Sequence, residues 1–260
     1  MLIGLPLLGV AIGGMDVLSY LEFPPLTRYV DHAPFNWWAF VIIGTVDLLM
    51  VIGMGIIAGK AIQKRRRKPN PKQVQATFPV WGWMGAAVMI VGWLMAWTRF
   101  AWFEPLQAHT FCIPWVGYIL LANALSVRRC GRSLLTDLPI PFLLLWPSSA
   151  LFWWFFEYLN RFVQNWYYVG IATFSPLEYI IHASLAFATV LPAVVSTIHL
   201  LLTFRVLNTG FRSFSPVTFP DDKRTAVLIL FIAGSGLTLM ARYPDYLYPL
   251  VWSAPLLVIT

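Results

Sequence analysis

Charge is scarce in this chain. Its 260 residues include 18 Lys and Arg and 11 Asp and Glu, 11% in all, where a soluble globular domain carries about a quarter. That scarcity excludes an ordinary water-soluble domain. Cysteine is rarer still. Cys112 and Cys130 stand at opposite ends of one predicted helix, about 27 Å apart at 1.5 Å per residue, beyond disulfide reach. No CxxC or zinc-type spacing occurs, and GxGxxG, P-loop and HExxH patterns are missing, which argues against nucleotide and zinc-protease chemistry. No loop exceeds about twenty residues, too few for an independent core.

What is present is apolar. The chain is 59% hydrophobic, with a mean hydropathy of +0.71. Its long runs are continuous rather than alternating, which excludes a β-barrel, and several reach the 18 or so residues that cross about 30 Å of hydrocarbon as a helix. They fall at 2–20, 37–58, 79–98, 111–127, 139–159, 176–204, 224–241 and 249–260. The expected fold is therefore all-α: a polytopic transmembrane helix bundle of about seven to eight spanning helices, forming one integral membrane domain over 1–260. The first run has neither a basic leader nor a small-residue cleavage site, so it reads as an anchored helix rather than a signal peptide. The last run is too short to cross, so either the chain is a fragment or its end is re-entrant, and the final helix reads rather as truncated.

The formal charge is +7, and seven of its cations crowd into "KAIQKRRRKPNPK" (60–72) directly after an apolar run. A basic cluster placed there predicts a cytoplasmic loop of a multi-pass inner (plasma) membrane protein, touching anionic lipid rather than nucleic acid. Loops 128–138 and 205–223 then share that side and, with Arg224, raise its count to fourteen, leaving Arg28, Arg99, Arg161 and Arg242 on the other. Each of the four outer loops holds one Arg, nearby aromatics and a Pro at or just before the next helix (Pro34, Pro114, Pro176, Pro249). The pattern fits a weak internal repeat or ordinary interfacial belts.

The densest chemistry lies in "FWWFFEYLNRFVQNWYYVG" (152–170), where Glu157, Asn160, Arg161 and Asn165 sit among ten aromatics. Glu157 and Arg161 are four apart and share a helix face. Read blandly, they are an ion pair with Asn caps closing a helix end. Read functionally, they line a polar pocket walled by Trp153, Trp166 and Tyr167. In the next helix, Glu178 and His182 are again four apart; Ser175 and the helix dipole account for an acid at Glu178, but not for His182 deeper in the run. Glu157, Glu178 and His182 are the candidate acid/base groups, with Arg161 and His182 tuning the acids. A metal would have few ligands here, and none is expected, nor is a cofactor. His109 and Glu104 could join the same cluster. Asp47 and Asp16 stand within apolar runs, where a charged Asp costs about 2.5–3.5 kcal/mol; an ion or proton path through them is a separate reading. Asn123 and "RRCGRSLL" look like an anchor at a helix end, with Gly131 as the turn residue.

With "WVGYILLANAL", "GRSLL" and "FATVLP", the chain resembles a group of bacterial multi-spanning membrane proteins without an assigned function. Over residues 153–182 it is also similar to lycopene cyclase-domain proteins of the integral membrane type. These have a helix ending in an acid and aromatics, a Trp/Tyr-rich loop, and a helix opening Pro-x-Glu-(Glu/Asp). Here that opening is Pro176-Leu177-Glu178-Tyr179, with Tyr179 in place of the second acid. The resemblance implies action on a carotenoid or other isoprenoid.

The expected function is binding of, or acid/base action on, an isoprenoid or lipid ligand at an outer-leaflet pocket, with membrane lipids and an apolar small molecule as partners. The rivals are a non-catalytic subunit among partner membrane subunits, and a small proton- or ion-coupled transporter.

Overall fold

A computed structural model describes residues 1–25, 30–65, 76–168, 174–204, 207 and 222–259. Most of the basic loop 60–72, Arg28, residues 169–173 and most of the 205–223 loop lie outside them. The helices run in order α1 Gly4–Ile12, α2 Trp37–Arg65, α3 Val80–Trp97, α4 Cys112–Cys130, α5 Leu134–Asp137 and α6 Pro139–Val163. They continue as α7 Pro176–Ala188, α8 Val190–Leu202, α9 Asp222–Leu239, α10 Pro244–Leu247 and α11 Pro249–Ile259. Two 3-10 stretches, Ser19–Leu21 and Ala101–His109, join them. No strand occurs among the described residues.

Among the described residues, five helical stretches are long and apolar enough to cross a membrane: Trp37–Lys60, Val80–Trp97, Leu106–Cys130, Pro139–Val163 and Pro176–Leu202. By length and composition this is an all-α membrane protein. The remaining apolar runs also form helices, but α1 has nine residues and α11 eleven, well short of about twenty. The run at 2–20 is cut by Gly13 and Gly14. Gly14 sits at φ +68°, a left-handed turn conformation that glycine adopts without a steric penalty. The run at 176–204 is divided at Thr189 because Pro192 offers no N–H to the carbonyl four residues back and crowds it. Ser149 supports the break: its hydroxyl donates to the Phe187 carbonyl at 2.5 Å and accepts from the Leu191 N–H at 2.9 Å.

The contacts group into two compact units. The first comprises Met1–Phe35, Phe152–Ile181 and Val217–Thr260. Its core sets Phe156, Leu159, Phe162 and Val163 from the end of α6 against Val10, Tyr20, Leu237, Met240 and Val251. Tyr20 stacks on Phe162 with ring centroids 5.5 Å apart.

The second unit comprises Asn36–Leu151 and His182–Pro216. Here α3 and α4 pack backbone to backbone. A Cβ at Gly117 would lie 2.3 Å from the Met89 amide nitrogen, and one at Gly85 would lie 2.7 Å from the Leu120 Cβ. Small residues permit this approach, and between membrane helices close packing and hydrogen bonds replace the hydrophobic effect as the source of association. α4 meets α8 through polar pairs. The Asn123 amide donates to Ser196 Oγ at 2.8 Å, Tyr118 Oη and Thr197 Oγ1 lie 2.6 Å apart, and Arg129 Nε donates to Thr203 Oγ1 at 2.7 Å. Asn123 also accepts from the Leu135 N–H at 3.1 Å, anchoring the turn after α4. Gly131, at φ +76°, caps that helix.

Candidate functional site

The end of α6 carries the polar groups of the aromatic run, and the first unit encloses them. Glu157 is 3% exposed. Its Oε2 accepts from Trp166 Nε1–H at 3.2 Å and from the Tyr168 hydroxyl at 3.0 Å. Burial and the Glu157 carboxylate hold the Tyr168 hydroxyl well above its ordinary pKa, so it remains a donor. Tyr179, also buried, turns its hydroxyl toward the same carboxylate.

Asn160 and Arg161 extend the network away from Glu157. The Asn160 amide donates to the Trp166 carbonyl at 2.8 Å and accepts from the Trp166 N–H at 3.4 Å. It thereby holds the chain as it leaves the helix through Gln164, whose φ is +45°. Arg161, 9% exposed, donates to the carbonyls of Tyr20 and Glu22, and its guanidinium lies 5.8 Å from the Phe23 ring centroid. The pairing of Glu157 with Arg161 read from their spacing is thus not the bond made. Donors from the loop serve the acid, while the Arg ties down carbonyls from the start of the chain.

The other sequence candidates divide. Trp153 and Trp166 pack on Trp252 of α11, with centroids at 5.8 and 5.3 Å. Asn165 and Tyr167 are exposed and line a separate cavity of about 450 Å³ with His32, Gln164, Asp245 and Tyr248. Glu178 is exposed and closes its own helix start. It accepts from the Ser175 N–H at 2.8 Å, while Ser175 Oγ accepts from the Glu178 N–H at 3.3 Å. The structure does not bring Glu178 to the buried Glu157; the neighbouring Tyr179 takes that place. His182 belongs to the second unit, where its ring stacks on His109 at 4.0 Å. Glu104 is exposed. Asp16 is exposed and caps a turn, accepting from the Leu18 N–H at 3.0 Å. No group of three or more His, Cys, Asp or Glu able to hold a metal occurs among the described residues.

Another cavity lies in the second unit and was not singled out in the sequence. It measures about 780 Å³ and is lined by Trp93, Trp97, Trp115, Tyr118, Val194 and Thr197, among others. Its wall is apolar and aromatic, and the Tyr118–Thr197 hydroxyl pair marks a polar point on it. The signal was present in "WVGYILLANAL", but a Trp near a helix end is ordinarily read as an interfacial belt residue. No protein family, curated protein or solved structure matches the chain.

Proposed function

We propose that this protein is a membrane-embedded binding protein for a long apolar chain of isoprenoid or acyl type, held in the aromatic cavity of the second unit. The observation that carries the reading is that cavity: about 780 Å³, within the range of sites that enclose small molecules, with rings along its wall and one hydroxyl pair to orient a polar end. Binding is favoured over cyclase-type acid/base chemistry because the two carboxylates such chemistry would pair lie apart. Glu157 is buried among its own donors, and Glu178 is exposed at a helix start. In the proposed setting the basic segment 60–72 faces the cytoplasm of a plasma membrane, in keeping with the fourteen-to-four division of cations.

Mass spectrometry of the full chain purified from native membranes tests the proposal. The expected result is an isoprenoid or single-class lipid enriched well above bulk membrane composition. Val194→Trp, which fills the cavity wall, should remove it without lowering the melting temperature. Bulk lipid alone, or a ligand that Val194→Trp leaves in place, would refute the reading.

A further inference from the structure

α2 is the most apolar of the five spanning stretches, and none of its residues from Trp37 to Lys60 is buried. A lipid-facing apolar helix needs no explanation, but Asp47 in its middle does. Asp47 lies ten residues from Trp37 and thirteen from Lys60, about 15 and 20 Å along the axis, so both ends of the span are out of reach for its short side chain. It is exposed, and it makes no hydrogen bond or ion pair among the described residues. An ionisable group at that depth is costly unless something answers it.

Among the described residues no cation answers it. In the five spanning stretches every Lys and Arg stands near an end (Lys60, Arg128, Arg129 and Arg161), as do His109 and His199, while His182, six residues into its stretch, stacks on His109. A second copy of the chain has the same distribution, and a symmetric pairing would set Asp47 against Asp47. The face around Asp47 carries a small residue at either end, Gly44 and Ala58. Gly44, Asp47, Val51, Met54 and Ala58 recur at three- and four-residue intervals, the seam of a left-handed helix pair. A Cβ added at Gly44 would meet nothing within 4 Å.

We propose that α2 is an interface helix. Its Asp47 face receives a transmembrane helix of a different protein that carries a Lys or Arg at mid-span. Small residues let the two backbones close, and the ion pair fixes partner and register, as a single polar contact does in helix pairs generally. The inference is independent of the aromatic cavity.

The test reconstitutes the full chain in phosphatidylcholine vesicles with labelled Leu/Ala helical peptides that differ only in a central Lys or Leu, and reads association by energy transfer. The Lys peptide should bind at least tenfold more tightly than the Leu peptide. Asp47→Asn should erase that preference, Asp47→Glu should keep it, and Gly44→Leu with Ala58→Leu should weaken it. The proposal is overturned by equal binding of the two peptides or by a preference that survives Asp47→Asn. It is equally overturned if energy transfer between two copies of the chain persists in Asp47→Asn, which would assign the face to self-association.

Discussion

Around Glu157 in the first unit, acid, amide and guanidinium each meet partners from their own unit, whereas the second unit leaves a wide aromatic wall open beside the single hydroxyl pair of Tyr118 and Thr197. The difference has a physical origin. A helix end that turns back into an apolar core must satisfy its polar groups internally, since each unmet one costs about 1–3 kcal/mol. Glu157, Asn160 and Arg161 do this work, and their bonds leave little to offer a ligand. In the second unit the α3–α4 contact is so close at Gly85 and Gly117 that the larger residues are displaced to the flank, where Trp93, Trp97 and Trp115 border a cavity. Polarity in the first unit fixes a fold; the shape of the second leaves room for a guest.

The largest effect is expected at Gly117. A Cβ there would press on the Met89 and Gly85 backbones at 2.3 and 2.7 Å, which no rotamer change relieves. Gly117→Val should destabilise the protein by about 3 kcal/mol, seen as a lower unfolding midpoint in detergent, and should abolish ligand retention by prising the cavity wall apart. Gly234→Val is the control, since the added Cβ there meets only side-chain ends, Met1 Cε at 3.3 Å and Leu5 Cδ1 at 3.6 Å, and it should change little. Equal midpoints for the two variants would remove the basis for the tight α3–α4 contact.

Next in size is Glu157. Removing its side chain in Glu157→Ala strands the Trp166 indole N–H and weakens the hold on Tyr168, at about 2 kcal/mol. Glu157→Gln keeps an acceptor oxygen and should cost about 1 kcal/mol or less. Chemical unfolding followed by tryptophan emission would rank the two. Both variants should retain any ligand that co-purifies with the wild type. If Glu157→Gln loses that ligand at unchanged stability, the division of labour is reversed and the acid is a binding or catalytic group.

The long helices were legible because continuous apolar runs need no partner to be recognised: the spans read at 37–58, 79–98 and 111–127 lie within α2, α3 and α4 or extend past them by a residue or so. The polar cluster could also be located, since Glu157, Asn160 and Arg161 are conspicuous among aromatics. Its wiring could not. Arg161 reaches carbonyls about 140 residues away in sequence, at Tyr20 and Glu22, and no local spacing encodes that. Likewise, helical periodicity finds a face without saying what it meets. Glu178 drew attention as the acid, yet Tyr179 beside it is the residue turned inward, a matter settled by neighbours in space. The aromatic cavity was missed because Trp and Tyr near helix ends look the same whether they border a groove or a headgroup layer.

The smallest effect concerns His32, where three segments of the first unit meet. Its Nδ1 lies 2.9 Å from Asp245 Oδ1 and its Nε2 lies 3.1 Å from the Gln164 carbonyl, while the Ala33 N–H donates to Asp245 Oδ2 at 3.0 Å. Both ring nitrogens face acceptors, so both bonds form together only in the imidazolium. The hydrogen bond to Asp245 accordingly raises the His32 pKa, with Asp31 adding to it, and lowers that of Asp245. A raised His contributes stability that is complete below its unfolded value of about 6.5 and fades as pH rises through the folded value; a lowered Asp contributes above about 3.9 and fades as pH falls through its folded value. The pair is therefore worth most between about pH 4 and 6.5. The side chains are 42% and 32% exposed, so screening limits the gain to under about 1 kcal/mol, or roughly 2–4 °C in a chain of this size. Melting temperatures of wild type and Asp245→Asn should differ most near pH 5.5 and converge by about pH 9. A gap that widens as pH rises would mean that His32 is neutral in the fold and that Asp245 serves only the Ala33 N–H.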